Sequence, residues 1–329
     1  MSNYQEYSAR SVKLVDIPQV TRLLESGVLL NSEQAFTNGV DLSSAGLISS
    51  FLLPQRSLYT LVARAEKQAV VGQMRMQQDR HQAHILYVAP NLNYDQDNSA
   101  WLHVLDALAA EAGRRGAHML TAEVDEDLSL FETMRVAGFS IYARQEIWQH
   151  APGELPELPV DKVDLTEEVE ADAHGIHNLY CNIVPRLVQQ VASPPSHSNG
   201  LVYRKNERVE GYIAVSEGRA GIYLMPYLHP DVFSEAAAIL AAAIEQTRRS
   251  HERVPVYVSV RRYQDWLEDA LVDLGFEPWT RQAVMVRHIT AGVRQAAFAP
   301  LSAQLEAVPT PLKPPTARTK PIVEKFTEE

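Results

Sequence analysis

Apolar residues recur along this chain with two different periods. Between Trp101 and Gly113, the residues Trp101, Leu102, Leu105, Leu108, Ala109 and Ala112 share one face of a 3.6-residue repeat, while Asp106, Glu111 and Arg114 fall off it. That spacing predicts an amphipathic helix, stopped by Gly116. Shorter runs read as strands: Ser57–Arg64, Ala69–Gln77, His84–Val88, Met119–Val124 and Ser140–Gln149, with polar turns at 66–68 and 79–82. Leu128–Val136 is a further helix that breaks at Gly138. Upstream, Ser11–Val15 reads as a strand, and Asp16-Ile17-Pro18 opens a helix with Asp as its cap and Pro in the first turn. Residues 31–56 read as partly helical, ending near Pro54.

The same order then returns. A helix over Thr166–Ile183 and a Pro/Ser loop over Ser193–Gly200 precede two paired strands and a third near Ile222–Leu228. An Ala-rich helix over Phe233–Arg249, the strand Val256–Val260, the helix Trp266–Leu274 and the strand Arg281–His288 complete the second round. Individual residues recur too. Leu61-Val62-Ala63-Arg64 with Gly72 is echoed by Leu201-Val202-Tyr203-Arg204 with Gly211. Val88-Ala89-Pro90 is echoed by Leu228-His229-Pro230, and Gly138-Phe139 with Arg144-Gln145 by Gly275-Phe276 with Arg281-Gln282. A repeat this long is a whole domain rather than a solenoid unit. The chain divides into domains at 1–150 and 164–290, a Pro-containing linker at 151–163, and a Pro-rich, disordered tail at 291–329. Each copy predicts a mixed α/β sheet, with the strands that flank the long helix parallel across a right-handed crossover.

Composition removes some classes. The chain has 329 residues, 22% charged, and a net charge of −11, which argues against a protein built to grip phosphate backbones. A nucleic-acid partner is therefore not expected. One cysteine, Cys181, excludes an internal disulfide and fits a reducing compartment. No stretch reaches 18 apolar residues, and the polar first ten residues lack the core of a signal peptide, so the expectation is cytoplasmic with no membrane span.

The element order together with Leu86-Tyr87-Val88-Ala89-Pro90, Leu228-His229-Pro230 and the two Gly-Phe pairs resembles the GNAT acetyltransferases, in tandem, over about 270 residues. The resemblance implies a duplicated acyl-CoA N-acyltransferase fold. It also implies acetyl-CoA or another acyl-CoA as co-substrate, and a small-molecule or peptide amine as acceptor. In that family a thioester oxygen meets a backbone N–H of the splayed fourth strand, here Tyr87-Val88-Ala89, and the pantetheine arm lies between the fourth and fifth strands. The family's pyrophosphate loop maps onto Gln96, Asn98, Ser99 and Ala100, where a helix start could offer N–H groups.

The chemistry-bearing positions depart from the family. Its two loop glycines fall on Gln96 and Asn98 in copy one and on Ala236 and Ala238 in copy two. Its tyrosine acid falls on Met134 and Leu271, and its asparagine after the fifth strand on Asp127 and Gln264. Glu123 is the candidate base and Tyr87 the candidate acid, with Tyr223 its positional rival; a solvated carboxylate and core tyrosines are the plain alternatives. Asn98, Ser99 and Ser234 equally fit helix capping. His174 and His177 have metal-like spacing, but a solvated helix face explains them and no metal is expected. Cys181 reads as a small buried apolar residue. Three functions follow: an acyltransferase with at most one fully active half, copy one being the better candidate, as a monomer or homodimer; a non-catalytic pseudo-acetyltransferase serving as ligand sensor or interaction module; or a purely structural assembly subunit.

Overall fold

The computed structural model describes residues 8–38, 57–65, 68–77, 81–153, 162–192, 200–248 and 254–289. The described residues belong to one compact unit; the expected tail at 291–329 lies outside them, as do 39–56 and most of the linker.

Copy one runs β1 (Ser8–Ser11), α1 (Ile17–Leu24), β2 (Val28–Leu29), α2 (Ser32–Asn38), β3 (Leu58–Ala65), β4 (Gln68–Gln77), β5 (Gln82–Ala89), α3 (Ser99–Arg114), β6 (Met119–Asp125), α4 (Ser129–Val136) and β7 (Ser140–His150). Copy two runs β8 (Thr166–Glu167), α5 (Ala173–Ile183), α6 (Arg186–Gln189), β9 (Gly200–Lys205), β10 (Arg208–Glu217), β11 (Ile222–Leu228), α7 (Ala236–Arg248), β12 (Val256–Arg261), α8 (Glu268–Asp273) and β13 (Glu277–His288). The element types follow the hydrophobic pattern, with local differences. The strand expected at Ser11–Val15 lies earlier, and Leu14–Asp16 is a 3-10 turn. The helix expected from Thr166 begins only at Ala173, because 166–167 pair with β9 and Glu170–Asp172 form another 3-10 turn. The starts expected at Phe233 and Trp266 are likewise 3-10 turns.

Among the described residues all thirteen strands join one sheet, in the order β1-β3-β4-β5-β6-β13-β7-β12-β11-β10-β9-β8, with β2 paired to β5. The crossover pairs β5–β6 and β11–β12 are parallel. At the centre the two copies exchange their last strands. β13, from copy two, lies along β6 of copy one, and β7, from copy one, lies along β12 of copy two. β7 and β13 then pair with each other, Gln145 directly opposite Gln282. The sequence divides at the linker; the hydrogen-bonded sheet does not.

The repeated residues turn out to be scaffold. Arg64 and Arg10 bind Asp16, whose carboxylate also accepts the Lys13 N–H at 2.9 Å; Arg204 binds Asp172, which accepts the Val169 N–H at 3.1 Å. Asp16 thus ties the first 3-10 turn to β1 and β3 and makes no side-chain cap on α1. A Cβ on Gly72 would sit 2.7 Å from Leu108, so its absence lets α3 rest on β4. Gly138 and Gly275, at φ +85° and +78°, end α4 and α8 in the left-handed conformation that suits glycine. One sheet face is apolar in both halves, packed by Trp101, Leu105 and Leu108 of α3 and by Ile239, Leu240 and Ile244 of α7.

The exchange gives a first expectation. Residues 1–153 alone lack β13, leaving β6 with an open edge, and should associate or fail to unfold cooperatively. A sharp, concentration-independent melt of that fragment as a monomer would contradict it. Asp16 gives a second. Its hydrogen bonds from Arg10 above all, then from the Lys13 N–H, hold its carboxyl down at about 2 against 3.8 unfolded. A depressed carboxyl adds stability that is complete above the unfolded value and is lost as pH falls through the folded one, here between about 4 and 2. Asp16→Asn should cost about 1–3 kcal/mol at pH 7 and flatten that acid limb in denaturant titrations.

Candidate functional site

In copy one β5 and β6 pair only over Gln82–His84 with Met119–Thr121, then part. Strands that part leave main-chain groups facing one another without partners, and buried ones must find some. Here the chain supplies them itself. Val28 and Leu29 of β2 pair with Val88 and Tyr87. The Leu30 N–H donates to the Leu86 carbonyl at 2.8 Å, and the Leu30 carbonyl accepts the Glu123 N–H at 2.9 Å. Leu30 therefore bridges both strands, fully buried.

In copy two β11 and β12 pair over Ile222–Leu224 with Val256–Val258, and part likewise. There a side chain fills the gap. The Gln264 amide, in the orientation that satisfies both ends, donates to the Pro226 carbonyl and accepts the Leu228 N–H, each at 3.1 Å. Gln264 is 3% exposed. Leu228 is the sequence counterpart of Val88, so the same strand position is engaged in both copies, once by backbone and once by an amide.

Solved structures share the fold that carries these two crevices. A GCN5-related N-acetyltransferase from Sphaerobacter thermophilus aligns at TM-score 0.56 and 12% identity, covering 89% of this chain and 98% of its own. A tandem GNAT protein from the clavulanic acid biosynthesis pathway aligns at TM-score 0.51 and 15% identity, covering 87% and 99%. A GCN5-related N-acetyltransferase from Kribbella flavida aligns at 0.50 and 16%, covering 75% and 96%. The chain has the GNAT fold, in tandem. No family model matches its sequence, and no curated protein matches it either.

On this GNAT frame the expected site residues can be placed. Tyr87 points its ring into the core under α1, with Val20, Leu24 and Val71. Burial pushes its ionisation up, and the nearby Thr60 side chain offsets this only in part. Val88 and Ala89 are buried strand residues paired with Gly72 and Val71. At the pyrophosphate loop the Ser99 N–H and hydroxyl both donate to the Asp97 carboxylate, at 3.2 and 2.8 Å. Asp97 thus puts its own negative charge on the positive start of α3. Asn98 occupies the N-cap position without a side-chain cap and instead donates its amide to the Thr133 hydroxyl at 3.2 Å. Gln96 turns back on Asn93 and Ala100 is buried. In copy two Ser234 lies in the 3-10 turn before α7, and Glu235 there pairs with Lys205 at 2.8 Å.

Glu123 is no free carboxylate. One oxygen accepts the Ser32 N–H at 2.9 Å; the other faces the Arg261 guanidinium at 3.4 Å. Burial pushes its carboxyl up, but Arg261, His84 and Ser32 outweigh burial and hold it below the ordinary value. Around it runs a polar strip. The Ser32 hydroxyl donates to Gln282 at 2.7 Å, Gln145 donates to Gln282 at 2.8 Å, and Ser259 donates to Gln145 at 3.2 Å. Ser32 and Arg261 carry no motif and escape sequence reasoning; Gln145 and Gln282 had a signal, their recurrence, without a role attached. The remaining candidates stay apart. His177 and Cys181 sit 3.5 Å from each other, and Cys181 is exposed where the sequence reading places it in the core. Among the described residues no three metal-ligating side chains cluster.

Removing one member of a buried pair leaves the other charge uncompensated. Glu123→Gln is therefore expected to cost about 3–5 kcal/mol, and Glu123→Leu with Arg261→Met to recover much of it. Urea unfolding of the three proteins checks this; equal losses in single and double variants would disprove the coupling.

Proposed function

We propose that this chain is a pseudo-acetyltransferase: a tandem GNAT-fold protein that binds a ligand or partner without transferring acyl groups. One observation carries the reading. The strand segments that would receive a thioester, around Val88 and Leu228, are already paired from within the chain, by Val28–Leu30 and by Gln264.

Acyl-CoA fits neither crevice as built. Its pantetheine amides would need the strand groups that Leu30 and Gln264 hold. Its pyrophosphate would need a helix start free of negative charge, and in copy one meets Asp97. Loop glycines that would let a backbone approach a phosphate are missing from both. Glu123, held ionised by Arg261, is a weak proton acceptor for an amine. Among the described residues no helix is long and apolar enough to cross a membrane.

Acyl transfer from acetyl-CoA to a small-molecule or peptide amine is the rival reading, favoured by the names of the fold's neighbours. It requires Val28–Leu30 to leave β5. Calorimetric and thermal-shift titration with acetyl-CoA separates the two. The expected result is no heat and no shift at millimolar cofactor. Saturable stabilisation approaching about 2.7 kcal/mol at a hundredfold excess over Kd would overturn the proposal.

A further inference from the structure

Both crevices end at loops, and in both an aromatic side chain crosses from one loop to the other. β5 and β6 part after His84 and Thr121 and end at Ala89 and Asp125. The loops that continue them therefore stand on either side of the open end. Tyr94, in the loop after β5, donates its hydroxyl hydrogen to the carbonyl of Asp127, in the loop after β6. In copy two β11 and β12 part after Leu224 and Val258 and end at Leu228 and Arg261. Phe233, in the turn after β11, meets Trp266, in the turn after β12, with ring centroids 5.6 Å apart and planes inclined at 45°.

Neither contact belongs to the packed interior. Tyr94 is 78% exposed and Phe233 59%. Single apolar residues on a surface are ordinary, but these two recur at the same place in both copies. The copies reach one result by different chemistry, a hydrogen bond in one and a ring contact in the other, just as backbone fills one crevice and an amide the other. The base of each aromatic residue is fixed. The Trp101 indole donates to the Pro90 carbonyl at 2.9 Å and the Gln96 N–H to the Asn93 carbonyl at 3.1 Å, on either side of Tyr94. The Val232 N–H donates to the His229 carbonyl at 3.0 Å, just before Phe233. With the backbone held and the ring in water, opening needs only a turn of the side chain to another rotamer, at the loss of one contact. We propose that Tyr94 and Phe233 are straps that close the open ends of the two crevices, each controlling entry to its own copy independently of the other. Anything that reaches the strand groups near Val88 or Leu228 through the open end must first displace its strap. The straps act whether those groups stay paired within the chain or are given up to acetyl-CoA.

Residue-resolved hydrogen exchange on the full chain tests this. The Leu30 and Glu123 N–H groups report on the first crevice and the Leu228 N–H on the second. The Phe139 and Phe276 N–H groups, bonded at the ends of α4 and α8, serve as references outside both. Tyr94→Phe keeps the ring and removes the hydrogen bond. It is expected to speed exchange at Leu30 and Glu123 about three- to tenfold and to leave Leu228 and the references unchanged. Phe233→Ala is expected to speed Leu228 alone, by a similar factor. Both substituted side chains are exposed, so the fold should survive their loss. Equal acceleration at all five amides would reflect general loosening and overturn the straps. Acceleration of both crevices by either variant would overturn their independence. Unchanged exchange at the crevice amides in both variants would overturn the proposal outright.

Discussion

The pairing of β7 with β13 at the middle of the sheet is the constraint on which the rest depends. Each of these strands ends one copy of the sequence repeat, yet each completes the sheet of the other copy. Neither half can close its hydrogen bonding alone, so both halves share one sheet, each with its own apolar core to which the other half's last strand contributes. The contact point is Gln145 against Gln282, where two amides and the Ser32 and Ser259 hydroxyls satisfy one another. A buried polar junction of this kind is stable only when every member has a partner. That requirement fixes the register of the exchange, since sliding one strand by one residue would turn its glutamine to the opposite, apolar face.

The same demand for partners governs the two crevices. A crossover that ends in parting strands creates unpaired main-chain groups, and a protein that does not leave them for a ligand must meet them itself. This chain does so by two different routes, a two-residue strand in copy one and a glutamine amide in copy two. The electrostatics agree with the hydrogen bonding. The Asp97 carboxylate stands at the helix start where an anionic cofactor would place its phosphates. The loss of loop glycines, a departure visible in the sequence, is the counterpart of this change.

Much of the fold was legible beforehand because its signals are local. Amphipathic period sets α3, turn glycines end α4 and α8, and β-branched runs mark β5, β6 and β12. The misplaced helix starts share a cause: after Thr166, Phe233 and Trp266 a 3-10 turn comes before the full helix, and local propensity does not separate the two. The site was legible only in part. Glu123 stood out as a carboxylate near a strand end, but its partner Arg261 lies 138 residues away. Tyr87 looked available because a strand position does not say which neighbour its ring faces.

The sequence by itself determined that the fold is duplicated and that each copy lacks the residues a phosphate loop needs, because repeats, glycines and charges are written in chain order. Only the tertiary structure decided which half each last strand serves, what fills each crevice, and why Arg144-Gln145 and Arg281-Gln282 recur. Those outcomes come from contacts between residues far apart in the chain, Gln145 with Gln282, Leu30 with Glu123 and Glu123 with Arg261. Such contacts are set by the need to pair every buried polar group across the whole sheet, a condition that no local stretch of sequence can state.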